Sequence, residues 1–257
     1  LLLSDECQFY IKTITLFVRM NPMNLLIHRA NTRGGADHSW LKTRHSFSFA
    51  NWHDPNRMGF GALRVLNDDI IAGAGGFGEH SHNNFEIITI VLKGAVSHKD
   101  SMGNMKEVSA GEVQVMSAGT GVTHAEFNAS ETDALELFQI WIESRVRNVA
   151  PRYNQRRFNP EERKANWQVV VSNGEVPNSL SIYQDARIVL RDFEKGETVN
   201  YSISKPGNGV YLLVIEGEVE MAKSSFEDYR PTNFLEENLF REGETLGRRD
   251  AIGIWET

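Results

Sequence analysis

The sequence predicts an all-β protein with a mononuclear metal site inside a β-barrel, and three observations carry that expectation. Apolar runs of strand length recur between clusters of Gly, Asn, Asp and Pro. Two stretches, Gly-Phe-Gly-Glu-His-Ser-His ending at His80 and His82, and Gly-Thr-Gly-Val-Thr-His-Ala-Glu ending at His124 and Glu126, each close on two potential ligands one residue apart. In a strand, side chains i and i+2 share a face, about 6.5–7 Å apart. Two such pairs on neighbouring strands would aim three imidazoles and one carboxylate at a common point. Finally, Gly217-Glu-Val-Glu-Met221 follows an apolar strand as Gly94-Ala-Val-Ser-His98 does, a faint internal repeat of barrel type.

The bulk properties narrow the function classes. A chain of 257 residues makes one large domain or two of ordinary size. A net charge of −7 argues against a general phosphate-backbone binder, so no direct nucleic-acid binding is expected. The single cysteine, Cys7, excludes an intramolecular disulfide framework and a cysteine-based metal cluster, which fits a reducing cytoplasm. No apolar run approaches the roughly 20 residues that span a bilayer. Residues 1–22 read as a peripheral extension, with Met20 or Met23 as plausible starts.

Taken in order, Asn24–Ala30 reads as a strand, followed by a loop containing Gly34, Gly35 and Asp37. In His45–Ala50, Phe47 and Phe49 lie two apart on one face, and Asp54-Pro-Asn-Arg57 is a turn signal. Leu63–Ile71 reads as a strand and turn leading into Gly73, Gly75, Gly76 and Gly78. That glycine loop lacks the Lys-Ser/Thr of a phosphate-binding loop and no helix pattern follows it, so it is read as a tight connection leaving room beside His80 and His82. Glu86–Leu92 and Val113–Met116 are strands, Asp100-Ser-Met-Gly-Asn104 a hairpin turn, and Ser117–Gly121 a small-residue turn that delivers His124. Leu135–Ile142 alternates and closes the first set of strands. Pro151–Lys164, polar and proline-marked, reads as a linker or crossover. A second strand group begins near Trp167 and includes Ser181–Tyr183, Ala186–Leu190 and Val210–Ile215. Residues 223–245 read as an acidic inserted loop or short helix, and the chain stops in mid-strand by its pattern.

The spacing His80-x-His82-x3-Glu86-x7-Gly94, then Gly111-x5-Ser117-x-Gly119-x4-His124-x3-Asn128, resembles the two signature motifs of the cupin superfamily, with small insertions and with Ser117 where cupins often have proline. More specifically the chain resembles the pirin family. The shared stretches are His45–Asn51, Asp54-Pro55, Met58–Phe60, Leu63–Asp69, Gly76–Gly78, Asp100–Asn104, Met116–Gly121 and Pro151–Gln155. The resemblance is strong from Asn24 to Phe158 and weak beyond. Pirins usually carry proline where Ser81 stands, a position between the ligands that points away from them. The resemblance implies two tandem cupin barrels, a bicupin, with a metal, usually iron, in the N-terminal barrel only. The expected division is 1–22 extension, 23–150 metal-binding barrel and 151–257 barrel without ligands. All eight histidines lie at or before His124, so a second barrel without histidine cannot build an imidazole site.

The expected ligands are His80, His82, His124 and Glu126, a set that suits Fe(II), Mn(II), Ni(II), Cu(II) or Zn(II). Glu86 shares the strand face of His82 and reads as barrel core or a residue behind the ligands, with direct ligation as the lesser alternative because pirins use the later carboxylate. His98 reads as a hydrogen-bonded strand residue. His45 and His53, with Trp52, read as core packing, and Arg156 and Arg157 as a surface or interdomain pair. The family resemblance implies a quercetin 2,3-dioxygenase-type activity on a small aromatic substrate and dioxygen, with Glu126 as general base. The rival reading is a non-catalytic metal- or redox-sensing regulator that binds a protein partner such as a transcription factor.

Overall fold

The computed structural model describes residues 15–18, 23–164, 166–201, 207–221 and 244–256. Their regular structure is strand throughout, apart from two short 3-10 turns at Ala30–Thr32 and Pro160–Arg163. The expected insertion falls largely outside the described residues, and so does most of the expected N-terminal extension. The chain divides into two compact units, Gly34–Leu190 and Leu1–Arg33 with Arg191–Thr257.

The strands run β1 (Thr15–Val18), β2 (Met23–His28), β3 (Gly34–Asp37), β4 (Leu41–His45), β5 (Leu63–Ile71), β6 (Gly76–His82) and β7 (Phe85–Lys93). There follow β8 (Ala95–Asp100), β9 (Met105–Ser109), β10 (Glu112–Ser117), β11 (Val122–Asn128), β12 (Leu135–Glu143) and β13 (Arg152–Arg157). The remainder are β14 (Gln168–Ser172), β15 (Leu180–Ser181), β16 (Ile188–Leu190), β17 (Thr198–Tyr201), β18 (Gly209–Leu213), β19 (Val219–Met221), β20 (Thr245–Leu246) and β21 (Ala251–Glu256).

Within Gly34–Leu190, a seven-stranded sheet in the order β13-β10-β7-β12-β5-β4-β3 faces a four-stranded sheet in the order β6-β11-β8-β9. The central strand β7, Phe-Glu-Ile-Ile-Thr-Ile-Val-Leu-Lys, is buried over seven consecutive residues, as its β-branched run requires. The strand β11 alternates, with Val122, His124, Glu126 and Asn128 inside. Between the sheets lie two apolar layers. One contains Leu41, Ile71, Val91, Val96, Val108, Leu135 and Leu137; the other contains Ile87, Met116, Ala118 and Val122, with Trp141 and Tyr153 against it. Leu135→Ala is expected to cost about 2–5 kcal/mol of stability, because Leu135 is fully enclosed and its layer has little room to collapse. Urea unfolding measures this, and a cost below about 1 kcal/mol would mean the layer is loosely packed.

Two expectations are corrected here. Leu63–Ile71, read as a strand and turn, is strand throughout: β5 runs unbroken because β12 and β4 pair along both of its sides. Pro151–Phe158 is not a free linker either, since Arg152–Arg157 pairs residue for residue with β10. Its polar character is that of an outermost strand, with Asn154, Arg156 and Arg157 exposed.

In the other unit, β17-β1-β19-β20 form one sheet and β18-β21-β2 another. Leu25, Ile27, Val199, Met221, Leu246, Ile252 and Ile254 are buried there. Arg29 pairs with Asp250 at 2.8 Å and with Glu244. Because β2 pairs with β21, this unit does contain a histidine: His28 is buried and its Nδ1 lies 2.9 Å from the Tyr211 hydroxyl. One imidazole still falls short of a three-imidazole site. No helix among the described residues is long and apolar enough to cross a membrane.

Candidate metal centre

The strands β6 and β11 are hydrogen-bonded neighbours, with His82 opposite Val122 and His80 opposite His124. Between His124 and Glu126 the register shifts, because Gly78 and Glu79 on β6 together oppose Ala125 on β11. This bulge turns the Gly78 carbonyl under the His80 ring, whose Nδ1 donates to it at 2.8 Å. His80 is thereby fixed in the tautomer that offers Nε2 as a lone pair. The His82 and His124 Nε2 atoms approach to 2.9 Å, and the His80 ring centroid lies 4.4 Å from that of His124. Trp141 stands edge-on to His82 at 4.6 Å and walls the cluster on the β12 side.

The ligand atoms of His80, His82 and His124 all lie within 4.8 Å of one another. Glu126 falls into an adjoining set with His98 and His124, so His124 is the corner shared by both. The Glu126 carboxylate is fully enclosed. Its Oε1 accepts from Gln114 Nε2 at 2.8 Å and from the Thr89 hydroxyl at 3.3 Å, and its Oε2 accepts from Gln139 Nε2 at 2.8 Å. His98 is directly opposite Glu126 on β8, with Nδ1 at 3.9 Å from Oε1, an ion-pair separation rather than a hydrogen bond. Its Nε2 bonds to Asp100 at 3.0 Å. Asp100 is itself fixed by the backbone N–H groups of Met102 and Asn104 in the Asp100–Asn104 turn.

Charge follows from this geometry. Burial, reinforced by the neighbouring imidazoles, pushes His82 down to about 3. Burial also takes His124 to about 4, against the opposing pull of Glu126. Both rings are therefore neutral near pH 7, as metal ligation requires. Burial works to raise the Glu126 carboxyl, but His98, His124 and the Gln114 amide outweigh it and hold the group at about 2. Burial lowers His98, yet the two carboxylates beside it prevail and its pKa is raised. Neutral imidazoles converging beside an ionised carboxylate fit a divalent transition-metal ion. Among the buried nitrogens, His124 Nδ1 makes no hydrogen bond.

Glu86, on the same parity as His82 in sequence, lies away from this cluster. It is fully buried and accepts from Ser117 Oγ and Ser144 Oγ, each at 2.6 Å. The Ser117 that replaces a common cupin proline therefore has a partner. His45 is buried edge-on to Phe49, while His53 is exposed. Arg156 and Arg157 are on the surface, bonded to Asn178 and to the Ala110 carbonyl. His98 is hydrogen-bonded as expected, but its place beside Glu126 was not foreseen. Nor were Thr89, Gln114, Gln139, Asp100 and Tyr153. One signal was available: in Ile87-x-Thr89-x-Val91 and Leu137-x-Gln139-x-Trp141, a polar residue interrupts an otherwise apolar face.

Antiparallel strands wrapped around convergent imidazoles and a buried carboxylate define the class of cupin-type metal centres. Two family models match the chain, pirin over residues 27–142 and the quercetinase C-terminal cupin domain over residues 169–231, so the protein is a bicupin. A quercetin 2,3-dioxygenase of Escherichia coli K12 is 45% identical over 206 residues, covering 79% of this chain and 87% of that protein. A pirin-like protein of Caulobacter vibrioides is 44% identical over 189 residues, 73% of this chain and 81% of its own. The crystal structure of the bacterial pirin YhhW from Escherichia coli in complex with nickel(II) superimposes with a TM-score of 0.68 at 35% identity, covering 91% of each chain. The chain belongs to the pirin family.

Proposed function

We propose that this protein is a dioxygenase that opens the ring of a flavonol, or of a similar enolisable aromatic, in its N-terminal barrel. His80, His82, His124 and Glu126 would hold one divalent transition-metal ion, Fe(II) in the first place, with Mn(II), Ni(II), Cu(II) and Zn(II) compatible with the same donors. The carrying observation is the convergence of His80, His82 and His124 on one point, beside a Glu126 held ionised. The name borne by the Escherichia coli relative points to the same chemistry. A bound ion supplies Lewis acidity, lowering the cost of ionising a coordinated hydroxyl.

The protein's own residues divide the remaining work. His80 is oriented by the Gly78 carbonyl, and Trp141 keeps water from the β12 side of His82. Glu126 accepts the proton of the substrate hydroxyl. Acidification of that hydroxyl by coordination would favour the transfer. The enolate then reacts with dioxygen, and the ring opens with loss of carbon monoxide. A cytoplasmic setting, inferred from the near absence of cysteine, is compatible with a labile ferrous ion.

The test is oxygen uptake with quercetin by metal-loaded protein, with metal content measured in parallel. Glu126→Gln is expected to lower kcat by roughly 10²–10⁴ while metal is still detected. Metal-loaded wild-type protein that consumes no oxygen with flavonols would sink the dioxygenase reading.

A further inference from the structure

Gln114, Thr89 and Gln139 are not scattered around Glu126. They are direct cross-strand partners in one row, Gln114 opposite Thr89 and Thr89 opposite Gln139, across β10, β7 and β12. The row lies between the two apolar layers: Ile87 and Trp141 flank it on one side, Val91 and Leu137 on the other. Gln114 and Thr89 are fully enclosed. Burying a row of polar side chains is unfavourable unless each is satisfied, and here they satisfy one another and Glu126.

The orientation of each amide follows from its neighbours. The Tyr153 hydroxyl, from β13, lies 3.1 Å from Gln114 Oε1 and 2.7 Å from Gln155 Oε1. The Thr89 hydroxyl lies 3.4 Å from Gln139 Oε1, and it accepts from Gln114 Nε2 at 3.2 Å. Each glutamine oxygen thus lies beside a hydroxyl, and each glutamine presents its NH₂ to the carboxylate, which as an ionised group can only accept. One amide on each Glu126 oxygen fixes the plane of the carboxylate and, with the Thr89 hydroxyl also on Oε1, leaves a lone pair open on Oε2. The phenol ring of Tyr153 also lies against His98, with centroids 4.6 Å apart.

We propose that Gln114 and Gln139, oriented by Tyr153 and Thr89, are positioning residues that hold the Glu126 carboxylate in the one attitude from which it ligates metal. The inference rests on the metal-centre reading given above. It also assigns a function to β13, whose Tyr153 hydroxyl sets the Gln114 amide from outside the expected N-terminal barrel.

The test uses Gln114→Met and Gln139→Met, which keep side-chain length and remove the donors, together with Tyr153→Phe, which keeps the ring against His98. Ni(II) affinity is measured by competition with a chelator, and the visible spectrum of the Co(II)-loaded protein reports the ligand set. Each Gln→Met variant is expected to bind Ni(II) about 10–100-fold more weakly, with an altered Co(II) spectrum. Tyr153→Phe should show the same change in smaller measure. Wild-type affinity and spectrum in both Gln→Met variants would overturn the clamp and leave the metal centre standing. If either Gln→Met variant fails to fold, Tyr153→Phe decides, and wild-type behaviour there overturns the proposal. Wild-type protein that takes up no Ni(II), or takes it up equally well as His80→Ala, overturns the metal-centre reading and the clamp with it.

Discussion

His124→Ala is expected to abolish stoichiometric metal binding. His124 is the one side chain common to both ligand groupings, with Nε2 2.9 Å from that of His82 and its ring 5.4 Å from that of His98. Its removal takes a nitrogen from the three-imidazole set and separates that set from Glu126. The loss should exceed the roughly 10–100-fold that follows removal of a group behind the ligands. Equilibrium dialysis against Ni(II) with elemental analysis measures it, beside His80→Ala and His98→Ala. The assignment of the ion to His80, His82, His124 and Glu126 expects His80→Ala to approach the His124→Ala result and His98→Ala to retain the metal. The reverse order would move the ion to the His98, His124 and Glu126 grouping.

Gly119→Ala is expected to cost about 3–4 kcal/mol of stability, summing a left-handed backbone at roughly 1–2 kcal/mol with two disturbed backbone hydrogen bonds at about 1 kcal/mol each. Gly119 has a φ of 47°, and a Cβ there would lie 2.0 Å from the Val149 carbonyl oxygen. That oxygen accepts from Thr120 N–H at 2.9 Å, and Asn84 N–H donates to the Gly119 carbonyl at 3.0 Å, so neither side can retreat cheaply. Gly103→Ala is the control: its φ is 90°, but nothing lies within 4 Å of the added Cβ, so only the backbone preference is lost. Urea unfolding of the two variants separates the terms. Equal costs would show that the Val149 contact yields freely. Because this turn joins β10 to β11, the Ala variant should also weaken Ni(II) binding through displacement of His124.

The convergence of the histidines was legible because it depends on local periodicity. His80 and His82, or His124 and Glu126, share a face in any extended strand, and the turn at Ser117–Gly121 announces where β11 begins. The carboxylate clamp was not legible, because Gln114, Thr89 and Gln139 meet only through the registers of three strands remote in sequence. Their polarity at apolar-face positions marked them as unusual without saying what they met. Composition misled at two places for a common reason. Asn67-Asp68-Asp69 and Arg152–Arg157 carry residues typical of turns and linkers, yet long-range pairing to β12, β4 and β10 decides their conformation. His28 lies early in the chain, but β2 completes a sheet with the last strand, so sequence position gave a poor guide to its unit.

The placement of β13 also decides what the border of the seven-stranded sheet offers to another chain. It is the outermost strand on one side of the seven-stranded sheet, and it covers every residue of β10 from Glu112 to Ser117. A bare β10 would present a row of unpaired N–H and C=O groups beside Val113, Val115 and Met116, a template on which another chain could add a strand. With β13 in place the sheet ends instead in Asn154, Arg156 and Arg157, all exposed, and an incoming strand would have to confront guanidinium groups. The far side ends in β3, only four residues long. The arginine-rich segment that supplies Tyr153 to the interior is thus also the guard on an aggregation-prone border.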